Sequence, residues 1–78
     1  MQVDIHMLEQ TPITKNFGRK LSRLRKQKKL SQRKLAEKLD VHPTYISSLE
    51  RGLRNPSLKV IDKIASALEI SRNVLLKF

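Results

Sequence analysis

Between Gln32 and Arg51 the chain reads QRKLAEKLDVHPTYISSLER, and this stretch constrains the fold more than any other. Leu35, Ala36 and Leu39 recur at helical spacing, and so do Ile46 and Leu49. Asp40-Val41 between them is too short for anything but a tight turn. Ser31 caps the first helix. His42-Pro43 opens the second, with proline at the position where its missing N–H costs nothing, and Gly52 stops it. Two helices this short cannot bury their apolar faces against each other alone, so the rest of the chain must cover them.

That cover is also helical. Phe17, Leu21 and Leu24 make one stripe from Asn16 onward. Ser57 caps a helix with Leu58, Ile61, Ile64, Ala65 and Leu68 facing inward, and Ser71 caps a last one with Val74, Leu75, Leu76 and Phe78. No stretch shows β alternation. The pattern predicts a compact all-α domain of five short helices over residues 16–78, preceded by an N-terminal arm, 1–15, without helical period. At 78 residues the chain holds one small core and leaves no room for a separate sensor or catalytic domain.

Charge is concentrated. Residues 15–38 carry 11 basic side chains against Glu37 alone, which accounts for a net charge of +10 over the whole chain. Such a block is the electrostatic footprint of a polyanion-binding surface, most often for nucleic acid. Lys15, Arg19 and Lys20 are general candidates for phosphate contact. No apolar run is long enough to span a bilayer, and none resembles a secretory leader. There is no cysteine, no glycine-rich phosphate loop and no paired histidine motif. An enzyme, a metal centre and a cofactor are therefore not expected, and the setting expected is the cytoplasm, on the nucleoid.

Two short helices across a turn of about three residues are what a DNA-reading helix-turn-helix requires. Ala36 is small where the two cross, and Leu35, Leu39, Val41, Ile46 and Leu49 seal the angle. Pro43, Thr44, Ser47 and Ser48 are left to face a groove. The words LRKQKKLSQRKLAEKL, TYISSLERG, RNPS and IASALEIS, in this order, resemble the phage-repressor (Xre/Cro) helix-turn-helix family over residues 16–77. TYISSLERG followed by RN is further similar to the controller proteins of restriction–modification systems. The resemblance implies a five-helix lambda-repressor-like domain that regulates transcription by binding double-stranded DNA at a palindromic operator.

It also implies roles for particular residues. Gln32 bonds a phosphate and braces the reading helix. Thr44, Ser47 and Ser48 reach base edges or backbone, and Arg54 and Asn55 press on phosphate from the following loop. Arg33, Pro43, Tyr45 and Arg51 complete the candidate DNA-binding set, with packing beside the first helix of the motif as the alternative for Tyr45. Arg25 and Glu50 pair beneath the surface. The family usually has glycine where this chain has Asp40, and glycine before an apolar residue where it has Lys29-Leu30, so both positions predict some lost stability. Controller proteins often begin the reading helix with Asp-Arg, and Pro43 cannot make the guanine contact of that arginine.

A domain this small buries little surface on DNA, so a homodimer is expected. Val74, Leu75, Leu76 and Phe78 crowd four large apolar residues into five positions. Leu75 is assigned to the core, and Val74, Leu76 and Phe78 to a dimer interface, with Phe78 folding back over the first helix as the alternative. An antitoxin that binds a toxin as well as DNA is the competing function. RNA polymerase and a toxin are the further protein partners these readings carry.

Overall fold

The computed structural model describes residues 11–78. Five helices follow in order: α1 (Pro12–Gln27), α2 (Gln32–Leu39), α3 (Pro43–Glu50), α4 (Leu58–Leu68) and α5 (Arg72–Leu75), with no strand among the described residues. They pack as a closed ring: α1 lies on α3, α3 on α2, α2 on α4, α4 on α5, and α5 back on α1. Leu21, Leu35, Ile46, Leu49, Ile64, Leu68 and Leu75 are fully buried where these contacts meet. Each removes apolar area worth about 1.5–3 kcal/mol.

Every helix begins as its sequence directs. Thr11, Ser31, Ser57 and Ser71 each accept the backbone N–H three residues on, and His42 accepts that of Thr44. α1 starts at Pro12, four residues before the stripe that begins at Asn16. The Thr11 cap and Pro12 at the first helical position extend it into the expected arm. Residues 1–10 of that arm lie outside the described residues.

The ends of four helices repeat one device. Lys29, Asp40, Gly52 and Glu69 have φ of 58°, 58°, 74° and 57°. In each case the next residue is apolar and its N–H bonds back five residues: Leu30 to Arg25 O at 3.1 Å, Val41 to Ala36 O at 3.0 Å, Leu53 to Ser48 O at 2.9 Å, and Ile70 to Ala65 O at 3.0 Å. This is the left-handed helix stop that favours glycine. Only Gly52 obeys the preference. Lys29 and Asp40 stand where the sequence comparison with the phage-repressor family put glycine, and Glu69 adds a third exception.

Two expectations change. Leu58 was expected on the buried stripe of α4, yet it is 83% exposed. It occupies the first turn of the helix, and none of the described residues reaches over that turn. The last helix ends at Leu75, so Leu76 and Phe78 follow it rather than lie on it. Leu75 is fully buried, as expected.

Candidate nucleic-acid interface

α3 is held from behind by a buried ion pair. Arg25, on α1, donates from Nε to Glu50 Oε2 at 2.6 Å and from Nη2 to Glu50 Oε1 at 3.0 Å. The two side chains are only 9% and 7% exposed. Gln32, the first residue of α2, donates its Nε2 to the same Glu50 Oε1 at 3.0 Å. Glu50 ends α3, where a carboxylate opposes the helix dipole. Three donated bonds, two of them from a guanidinium fork, offset that conflict. The remaining Arg25 nitrogen, Nη1, donates to Leu30 O at 2.7 Å and so ties in the loop between α1 and α2. The two helices of the motif are thus joined at both ends, by the Asp40-Val41 turn and by Gln32–Glu50.

Backbone contact fixes the same end of α3. A Cβ placed on Gly18 would lie 2.5 Å from the carbonyl oxygens of Leu49 and Glu50. A Cβ on Gly52 would lie 2.9 Å from Lys15 Cα. α1 therefore crosses the end of α3 at a distance that only glycine allows. Ala36, expected to be small where α2 and α3 cross, is buried; the α1–α3 crossing at Gly18 is a different one and was not expected. The available signal was a glycine in a helix interior, which weakens the helix by about 1 kcal/mol and so calls for a packing reason.

With its end gripped, α3 turns its other face outward. Ile46 and Leu49 are buried. Pro43, Ser47 and Ser48 are half-buried and Thr44 is exposed, so this polar strip stays open to solvent. Ser48 Oγ donates to Tyr45 O at 2.7 Å. Tyr45 is half-buried, and the Arg54 guanidinium sits over its ring, 5.9 Å from the centroid. That stacking holds the otherwise exposed Arg54 against α3. Arg33, Arg51 and Asn55 are exposed. Gln32 keeps one amide hydrogen free, because only one of its two is used on Glu50. The structure thus ties Gln32 to the end of α3 through Glu50 and Arg54 to its side through Tyr45.

A second surface lies apart from this strip. Val74, Leu76 and Phe78 are between 43% and 50% exposed. Phe78 turns back onto α1, its ring meeting Phe17 edge-to-face at 6.2 Å, and half of its surface still remains open. Ile13, which sequence reasoning did not select, is exposed beside them. With Phe17, Asn55, Pro56 and Leu76, Ile13 and Phe78 line an apolar cleft of about 110 Å³. Among the described residues no group of acidic, histidine or cysteine side chains is arranged to hold a metal ion, and no helix is long and apolar enough to cross a membrane.

Comparison with known proteins agrees with this architecture. The sequence profile described as helix-turn-helix matches residues 21–75. Control protein C.BamHI of Bacillus amyloliquefaciens is 49% identical over 63 residues, covering 80% of this chain and 78% of that protein. The restriction-modification controller protein C.AhdI from Aeromonas hydrophila superposes with a TM-score of 0.75 at 43% identity, covering 81% of this chain and 94% of that one. The controller protein C.Esp1396I, solved as a tetramer in complex with its natural 35 base-pair operator, superposes with a TM-score of 0.76 at 31% identity, covering 83% and 86%.

Proposed function

The chain belongs to the helix-turn-helix family, and from that premise we propose that it is a sequence-specific transcriptional regulator binding a palindromic operator as a homodimer, in the manner of a restriction–modification controller. It acts in the cytoplasm on duplex DNA and performs no catalysis. The observation that carries this reading is α3 itself: one end clamped by Arg25, Gln32 and Gly18, and a polar strip left uncovered.

Thr44, Ser47 and Ser48 on that strip face the base edges of a major groove, with Pro43 at its leading end. Gln32 and Arg33 take phosphates on one side, and Arg51, Arg54 and Asn55 take them on the other, with Tyr45 as the platform for Arg54. Phosphate contacts fix register, and only the strip reads sequence. Thr44 and Ser48 are short side chains whose hydroxyl groups already have partners within the protein, so part of the specificity comes from water and DNA shape. Val74, Leu76 and Phe78, joined by Ile13, form the surface that pairs two copies, because such exposed apolar clusters mark interfaces. Pairing about a two-fold axis would set two α3 helices roughly 34 Å apart, one helical turn of DNA.

Selection of bound duplexes from a random pool tests the reading as a whole. The expected product is two inverted half-sites at a fixed spacing. Enrichment of no sequence, or of a single unrepeated half-site, would contradict it.

A further inference from the structure

The leading end of α3 carries an arrangement that the interface described above does not use. His42 is exposed and caps the helix, with the Thr44 backbone N–H pointing at its Nδ1, 3.2 Å away. The Thr44 hydroxyl lies 2.8 Å from the same nitrogen. A ring nitrogen that accepts a backbone N–H carries no proton. In neutral imidazole the proton then resides on Nε2, since the bond made by one ring nitrogen sets the state of the other. Nε2–H is left as a donor on an exposed ring. Pro43 follows with its φ fixed and with no N–H of its own to compete for the ring.

The neighbouring Ser48 hydroxyl has the opposite polarity: it directs its hydrogen to Tyr45 O and keeps its lone pairs to accept with. Along the polar strip the protein thus sets a donor at His42 beside an acceptor at Ser48.

We propose that His42 is a specificity-determining residue whose Nε2–H donates to an acceptor on a base edge, guanine before any other. This inference rests on the reading that α3 enters a major groove. A base edge is favoured over a phosphate because the N-terminal residues of a reading helix are those that reach bases. Guanine is favoured because it presents two adjacent acceptors, N7 and O6, where adenine and thymine present one each. The cap thus has two tasks: it orders the first turn of α3, and it locks the tautomer that reads.

The test compares duplexes selected from a random pool by the wild type, His42→Ser and His42→Asn. Serine and asparagine both cap helices well, and neither carries the ring donor. The expected result is a guanine preference at one outer position of the wild-type half-site that disappears in His42→Ser, with the other positions retained. Affinity for the wild-type site should fall about tenfold, as for loss of one base-pair contact. An unchanged half-site in His42→Ser would overturn the proposal. So would an equal loss of affinity for all sequences, which would assign His42 to a phosphate. If the wild type itself enriches no sequence, the proposed function fails and this inference falls with it. Nitrogen NMR of the His42 ring in the free protein gives an arm that needs neither DNA nor a variant: the Nε2–H tautomer is expected, and the Nδ1–H tautomer would overturn the argument at its root.

Discussion

The C-terminal end of α3 is held by three hydrogen bonds to a buried carboxylate and by a backbone contact that only Gly18 permits. The N-terminal end is held by one side-chain cap and by a turn in which Asp40 takes a conformation better suited to glycine. Removing one partner of a buried pair costs about 3–5 kcal/mol, whereas losing a cap costs about 1 kcal/mol. A domain of this size has a total stability nearer the lower end of about 5–15 kcal/mol. The difference separates two demands on one helix. Its position is set at the C-terminal end, so under the proposed function the N-terminal end can vary in side chain without moving the helix.

The largest effect should come from breaking the held end. Arg25→Ala strands Glu50 in a buried site and should lose about 3–5 kcal/mol in denaturant unfolding. Glu50→Ala should lose a similar amount, and the double mutant should lose far less than the sum. Small, additive losses would mean that the pair does not fix α3. Gly18→Ala should come next. Alanine is the better helix former by about 1 kcal/mol, yet its methyl would overlap two backbone oxygens, and overpacking costs about 1–3 kcal/mol. A net loss of stability is expected, and a more stable variant would show that α1 does not press on α3.

A smaller effect of opposite sign is expected at the turn. Asp40→Gly removes left-handed strain and should raise stability by about 0.5–1 kcal/mol. Gly52→Asp should be clearly destabilising, although the two residues share nearly the same φ, because Lys15 leaves no space for a Cβ. Equal and opposite effects from the two swaps would reduce both positions to backbone preference alone. The smallest effect belongs to a single flanking contact. Arg54→Ala should weaken binding to all sequences alike and lower the salt slope of log affinity by about 0.9. A change in the preferred half-site would instead place Arg54 among the readers.

What could be read from the sequence follows the range of the physics involved. Caps, stripes and the stop at Gly52 are local, so Ser31, Ser57, Ser71, Pro43 and Gly52 announced four helix starts and one end. The Arg25–Glu50 pair joins residues 25 apart, and it was legible only through the resemblance to a family. Gly18 was not legible at all, because its reason is the end of another helix. Leu58 shows the converse limit: a stripe gives the direction of a side chain, but burial needs an element to cover it. Ile13 escaped notice because it belongs to the part of α1 that lies before the first apolar stripe. The tautomer of His42 depends on the Thr44 backbone N–H that its Nδ1 accepts, a contact that spacing alone does not specify.

The central claim is that α3 reads DNA through its open strip while its other end stays fixed to α1 and α2. Amide shifts measured while a selected operator duplex is added to the protein test this most directly. The account predicts large changes at Thr44, Ser47 and Ser48, with flanking changes at Gln32, Arg33, Arg54 and Asn55, and little change across Lys38, Asp62, Lys63 and Glu69, which line a separate groove between α2 and α4. Changes concentrated at Arg19, Lys20 and Arg23 on the basic face of α1, with α3 undisturbed, would contradict it.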